Sequence, residues 1–381
     1  MLDVSSDQRV VLTLDAGGTN LRFSAIRSGK PLVKTLTIPA CPDSLKEFLS
    51  RLVEGFRRTR LACPEPPVAI SFAFPGPADY PRGIIGDLGN LPCFKGGVPL
   101  GAILEDEFGI PVFINNDGDL FAYGEAIGGF LPHVNDLLAK AKSPKRFQNL
   151  LGVTIGTGFG GGIVHNGELF LGDNSRAAEI WLLRDKLQPT RHVEESVSIR
   201  AVRRVYANHA GEPFDDAPEP DEIHEVARGQ WLGDELAAKE SFRRLGEAAG
   251  DAIANALTLV DGLVVIGGEL SAAAPLFLPA LVAELNGQYV LPDGKKIHRL
   301  ASQAFNLEDE GDLESFLEGD VRVIEVIDHV NIVPRPRRQI TYDPHPRIGV
   351  GLSRLGTNEA VALGAYAFAL QKLGQNNRVI P

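Results

Sequence analysis

Cysteine is scarce. Only Cys41, Cys63 and Cys93 occur in 381 residues. An odd number at wide spacing makes no disulfide framework, and no pair is spaced like a zinc knuckle. A reducing compartment, the cytoplasm, is the expected setting. No run of about 18 uncharged apolar residues occurs, so no membrane partner is expected. The first ten residues, MLDVSSDQRV, lack the charged-then-apolar pattern of a secretory signal. Positive charge is in deficit: 38 Lys and Arg against 49 Asp and Glu leave a formal charge of −11. Domains that bind nucleic acid through general electrostatics are usually basic, so no nucleic-acid partner is expected either. There is no fixed-period repeat and no long low-complexity tract.

What is present suits an ordinary globular protein: 44% hydrophobic and 23% charged residues. At roughly 100–200 residues per domain, the length suggests two domains or a little more. Val10 to Leu14 is a short β-branched run ending in Asp15-Ala16-Gly17-Gly18-Thr19-Asn20. Leu21 to Ile26 and Leu32 to Ile38 read as two further strands around the turn Ser28-Gly29-Lys30. Ser44 and Glu47 have capping-box spacing, and Leu45, Phe48, Leu49, Leu52, Val53 and Phe56 share one helical face. Val68 to Phe74 reads as a buried strand. Leu100 to Phe108 reads as a helix stopped by Gly109, and Val112 to Asn115 as a strand, with a helix starting near Asp119. Strands at Leu150 to Ile155, Gly160 to Val164 and Leu263 to Ile266 follow, with helices at Asp234 to Val260 and Asn358 to Leu373. Such alternation indicates a mixed α/β layer structure. Residues 131–148, 207–233 and 287–350 read as inserted, the first loop-like and the last with weak strand patterning and an acidic run near Glu308 to Asp320. The basic stretch Arg335 to Arg338 in the last of these reads as a solvated loop.

Glycine turns are the strongest chemical signal. A backbone that presents several N–H groups into one concavity binds phosphate, and glycine permits the close approach. Asp15-x-Gly17-Gly18-Thr19-Asn20 lies between two strands. It therefore differs from the P-loop and the dinucleotide fingerprint, which both lead into a helix. An acid at the start of such a hairpin turn suits a triphosphate with a magnesium ion. A plain tight hairpin explains the turn equally well. A second turn, Thr154-Ile-Gly156-Thr157-Gly158, continues to Gly160, Gly161 and Gly162. Its literal GxGxxG match is weak because strand, not helix, follows. Gly267-Gly268-Glu269 after a buried strand allows a flat ring to lie against backbone, or is a plain helix entry.

Asn115-Asn116-Asp117-Gly118-Asp119 ends a strand and precedes a helix. An acid there points into the cleft where ligands bind in α/β sheets. Phosphoryl transfer to a hydroxyl needs such a residue to orient the hydroxyl and take its proton. The alternative is that Asp117 and Asp119 cap the next helix. Glu179, Glu194 and Glu195 are further acids near His192, each by itself more often a surface residue.

Together these pieces resemble the ROK family (repressors, open reading frames and sugar kinases). Val11 to Asn20 looks like the family's first phosphate motif. Phe74-Pro75-Gly76-Pro77, Gly83 and Asn90-Leu91-Pro92 look like its sugar loop. Asn116-Asp117 with Gly124-Glu125 is similar to its catalytic motif, and Gly152 to Gly162 to its second phosphate motif. Val264 to Gly268 and Leu355 to Ala369 resemble the adenosine-side motif and closing helix. The resemblance implies an α/β, two-domain actin-like ATPase (ribonuclease H-like) fold with a cleft between the lobes. Residues 1–118 with 356–381 would form the small lobe, and 119–355 the large one, with an insertion at about 287–350. It implies an ATP-dependent, glucokinase-like sugar kinase acting on a hexose or N-acetylhexosamine, often dimeric. Asp117 would be the base. Gly76, Asn90, Asn116, Glu179 and Glu194 would bind sugar. Asp15 would sit near Mg2+. Gly17, Gly18, Thr19, Asn20, Gly156, Thr157, Gly158, Gly267 and Gly268 would surround ATP.

Two departures stand out. The family continues Glu-Ile-Gly-His where this chain has Glu179-Ile180-Trp181-Leu182. Its cysteine-rich zinc motif is replaced by Gln188-Pro-Thr-Arg-His192-Val, so no zinc is expected. Trp181 is expected to pack in the core rather than stack on a sugar. The changed run also motivates the alternative of a sugar-binding regulator or pseudokinase without turnover. A repressor is disfavoured, because the first phosphate strand begins by Val10 and leaves no room before it for a helix-turn-helix.

Overall fold

The computed structural model describes residues 3–16, 20–40, 43–86, 92–326 and 338–376. Two sheets organise them. The first holds β1 (Val11–Ala16), β2 (Asn20–Arg27), β3 (Lys30–Pro31), β4 (Leu36–Pro39), β5 (Ala69–Ala73) and β8 (Val112–Asn115), in the order β3-β2-β1-β5-β8 with β4 also on β2. A small β6–β7 pair, Ala78–Asp79 and Ile84–Ile85, lies between β5 and β8 in sequence. The second sheet runs β11-β10-β9-β12-β18-β15, from β9 (Leu150–Ile155), β10 (Phe159–His165), β11 (Glu168–Leu169), β12 (Leu263–Gly267), β15 (Gln303–Asn306) and β18 (Arg347–Leu352). In each sheet an antiparallel hairpin is followed by parallel strands. The two sheets thus share one topology although the sequence shows no repeat. Inner strands such as β12 are buried along their whole length. That is why they read as unbroken apolar runs rather than alternating ones.

Helix α1 (Leu45–Ala62) starts at Ser44, whose side chain accepts the Glu47 N–H, and buries Phe48, Leu52 and Phe56. The spacing puts these on one face against the first sheet. Helix α2 (Leu100–Phe108) ends at the left-handed Gly109. Helices α3 (Asp117–Gly128) and α10 (Thr357–Asn376) pack against each other between the sheets. α10 lies on β1, β5 and β8, and α3 on β9 and β10. Two glycines make that crossing close. A Cβ at Gly124 would stand 1.9 Å from the carbonyl oxygen of Ala360, and one at Gly364 1.9 Å from that of Leu120. Glu125 is wholly buried beside them. Its carboxylate accepts the backbone N–H groups of Phe130, Arg354 and Leu355 and the Ser353 hydroxyl. The Gly-Glu pair of the catalytic motif is therefore structural.

Residues 131–148 are loop only from 141 onward. Helix α4 (Phe130–Lys140) buries Phe130, Leu131, Val134 and Leu138. Its Pro132 falls in the first turn, where no helical N–H bond is lost. Of the predicted strand Leu32 to Ile38 only the end is strand, as β4 on β2; residues 32–35 are irregular, and the two-residue β3 before them also pairs with β2. Residues 207–233 hold the end of α5 (Ile199–Ala210) and the short α6 (Pro220–Ala227); α7 (Glu235–Val260) follows, capped by Asp234. After α8 (Ala274–Leu285), the stretch 287–350 is only partly an addition, since β15 and β18 belong to the second sheet. The rest comprises α9 (Glu310–Glu318) and two exposed ribbons. β13 (Gln288–Val290) pairs with β14 (Lys296–His298), and β16 (Arg322–Val326) with β17 (Arg338–Tyr342). Residues 335–337 of the basic stretch lie outside the described residues. Among the described residues no helix is long and apolar enough to cross a membrane.

Candidate active site

Strand β8 delivers Asn115 to the edge of the first sheet, and the chain turns directly into α3. Asn116 is the cap: its Oδ1 accepts the Gly118 N–H at 2.8 Å. Asp117 and Asp119 fall in the first helical turn, where carboxylates are favoured by the helix dipole. Asp117 Oδ1 also accepts the Gly118 N–H, at 2.9 Å. Its side chain is exposed within a cleft. The surrounding protein pushes its carboxyl above the ordinary value, while the N–H of Gly118 and its own N–H pull the other way.

A cavity of about 700 Å³ opens in front of Asp117. The turn between β9 and β10 forms one wall. There the Gly156 N–H donates to the Gly158 carbonyl at 3.0 Å, and Glu194 accepts the Phe159 N–H at 3.0 Å. Gly268 forms another wall with φ of +94°. A side chain there would run into Ile155, with Cβ 2.4 Å from its carbonyl oxygen, and the Gly268 N–H is held by Thr357 Oγ1 at 2.9 Å. Glu179 closes the far side, accepting the Trp181 indole N–H and facing Arg176 at 3.5 Å. A second cavity of about 530 Å³ adjoins the first, and both are lined by Asp117 and by Thr357, Asn358 and Glu359 at the start of α10.

Eight expected residues therefore face one cavity: Asn116, Asp117, Glu179, Glu194, Gly156, Thr157, Gly158 and Gly268. Asp15 faces the second, with Arg22 at 3.8 Å. A carboxylate so placed fits a cation that takes one or two protein oxygens and completes its shell with phosphate and water. Three expected residues do not line either cavity. Gly267 is set back in β12, where a Cβ would stand 2.6 Å from the Phe121 ring. Gly76 is exposed, joined to Pro77 by a cis bond. Asn20 opens β2, paired with Pro39. Gly17, Gly18, Thr19 and Asn90 lie outside the described residues. Trp181 packs on the core of the second sheet, as expected, and also lines the cavity. His192 stands edge-on to it, ring centres 5.4 Å apart. Leu182 is exposed. Glu195 pairs with Arg200 and Arg204 instead of facing the cavity.

Sequence reasoning missed three contributors. Tyr80 lines the cavity and donates its hydroxyl to the Phe74 carbonyl at 3.0 Å; burial pushes its phenol up. Thr357 is the hydroxyl that fixes Gly268. Asp119, weighed only as a cap, is 4% exposed and lines the cavity. Burial first, then the charges of Asp117 and Glu179, hold its carboxyl well above the usual range. The position of Tyr80, a few residues after the Phe-Pro-Gly-Pro run, was the available clue to it. Among the described residues no group of three or more His, Cys, Asp or Glu is arranged to hold a metal ion.

The sequence profile of the ROK family matches residues 11–304. The solved structure of a glucokinase from Parabacteroides distasonis is 52% identical, covers 97% of this chain and 99% of its own, and superposes with a TM-score of 0.86. A ROK hexokinase from Thermus thermophilus shares the fold at 20% identity, over 95% of this chain and 99% of its own, with a TM-score of 0.64. An N-acetyl-D-glucosamine kinase of Vibrio vulnificus is 30% identical over 278 residues, 68% of this chain and 83% of its own length.

Proposed function

The chain belongs to the ROK family, and from that premise we propose that it phosphorylates a hexose or N-acetylhexosamine with ATP. One observation carries the reading: Asp117 stands where the two cavities meet, at the head of a helix and open to the cleft. The relatives' names, glucokinase and N-acetylglucosamine kinase, supply the substrate class. In this reading the small lobe is residues 1–118 with 356–381 and the large lobe 119–355.

Asp117 accepts the proton of the attacking sugar hydroxyl as the new O–P bond forms. Its raised proton affinity makes it a stronger proton acceptor than an ordinary carboxylate. Asn116, Glu179 and Glu194, with Gly76 and Asn90, hold the sugar. Glu194 has a double role, since it also braces the second glycine turn. The turns at Gly17 to Asn20 and Gly156 to Gly158, with Gly268, enclose the nucleotide, Gly267 behind them gives Phe121 room to pack, and Asp15 faces the magnesium ion. Bound Mg-ATP supplies the transferable γ-phosphoryl group and the ion that neutralises its charge. Closure of the lobes excludes water, so that the sugar hydroxyl, not water, meets the phosphoryl group. No zinc enters the scheme. The same reading places the enzyme in the cytoplasm as a homodimer.

The test is a coupled assay of ADP release with Mg-ATP over a panel of hexoses and N-acetylhexosamines. Turnover on at least one of them is expected. Silence across the panel, with sugar binding measurable by calorimetry, would overturn the kinase reading and leave a sugar-binding regulator.

A further inference from the structure

Six acids line the main cavity: Asp117, Asp119, Glu179, Glu194, Glu269 and Glu359. The described lining residues include no Lys, Arg or His. A sugar hydroxyl offers one proton and two lone pairs, so a pocket that grips it needs donors as well as acceptors. Two of the lining donors are already committed. The Tyr80 hydroxyl points to the Phe74 carbonyl, and the Trp181 N–H to Glu179. Asp119 differs from the other acids. It is 4% exposed, and its Oδ1 is sealed from water with no hydrogen-bond partner. Buried polar atoms are almost always paired, so an unpaired carboxyl in the wall of a cavity calls for a partner, and a ligand of that cavity is the one at hand.

We propose that Asp119 contacts the acceptor sugar directly, donating a hydrogen bond to one of its hydroxyl oxygens. The inference rests on the sugar-kinase reading and adds a residue to it. Three surroundings make Asp119 a donor rather than another acceptor. Asp117 sits two positions before it on α3, Glu179 faces it from the segment after β11, and the Tyr80 phenol faces it from beyond β6. Two of these are carboxylates, and Arg176, the cation near them, is engaged with Glu179. Like charges packed out of water cannot all ionise, and the most buried member keeps its proton. Asp117 remains the proton acceptor of the reaction; Asp119 transfers nothing and fixes the sugar beside it.

Two variants and one spectrum test this. Infrared difference spectra, taken with D-glucose or N-acetyl-D-glucosamine and without nucleotide, are expected to show a protonated-carboxyl band. That band should shift when sugar binds and vanish in Asp119→Asn. Asp119→Asn keeps a donor, and Asp119→Ala removes it. The alanine variant should bind sugar about tenfold more weakly than the asparagine variant, the worth of one hydrogen bond, with ATP affinity equal in both. Absence of the band from the wild type, a band that ignores sugar, or equal sugar affinity in the two variants would overturn the proposal. Spectrum and affinity are read without turnover. A silent enzyme with a sugar-sensitive band therefore sinks the kinase reading alone, and turnover without the band sinks Asp119 alone.

Discussion

Asp117 and Asp119 lie two residues apart on one helical turn and have opposite surroundings. Asp117 stands exposed in the cleft, and Asp119 is almost wholly buried in its wall. The proton affinity of Asp119 is higher in the folded chain than in the unfolded one, so the folded state binds more protons between the two values. Its contribution to stability is then complete below the unfolded value, near pH 4, and is lost as pH rises toward the folded value. Asp119→Asn has no such proton to lose. The variant should gain on the wild type in urea unfolding as pH rises from about 4 to 7; a pH-independent difference would show that Asp119 ionises normally. Asp117 was legible from sequence because position alone, an acid just past a strand end, predicts a cleft residue. Asp119 was not, because it is covered by β10 and feels the charge of Glu179, both from far along the chain.

Elements with explicit punctuation were the readable ones. Ser44 starts α1, Gly109 ends α2, Asp234 starts α7, and the structure places all three as read. Helix α4 was hidden by its own punctuation. Gly128 and Gly129 precede it and Pro132 sits within it, yet the proline falls where a helix tolerates one. The α3–α10 crossing was hidden for another reason: a glycine inside a helix usually signals weakness, and here it signals contact. A methyl at Gly364 meets backbone, which has little room to yield. Gly364→Ala should cost about 1–3 kcal/mol or more in denaturant unfolding. It should also lower turnover, since α3 carries Asp117 and the start of α10 lines both cavities. Unchanged stability would mean that the helices can separate freely.

At the scale of the molecule, the sheets repeat one topology, hairpin then parallel strands. That symmetry puts the β9–β10 glycine turn on the main cavity and Asp15, at the end of β1, on its neighbour. A sequence scan sees no repeat because topology recurs without residue identity; glycine turns after short strands were its only trace. The ribbons β13–β14 and β16–β17 escaped for the opposite reason, since fully exposed strands carry no burial pattern to read. The central claim concerns the point where the cavities join. Asp117→Asn keeps the size of the side chain and an oxygen to accept the Gly118 N–H, but cannot take a proton. Steady-state phosphorylation of the best sugar should fall by about 10²–10⁴-fold, with ATP affinity by calorimetry unchanged. A variant that still phosphorylates sugar at the wild-type rate would contradict the account.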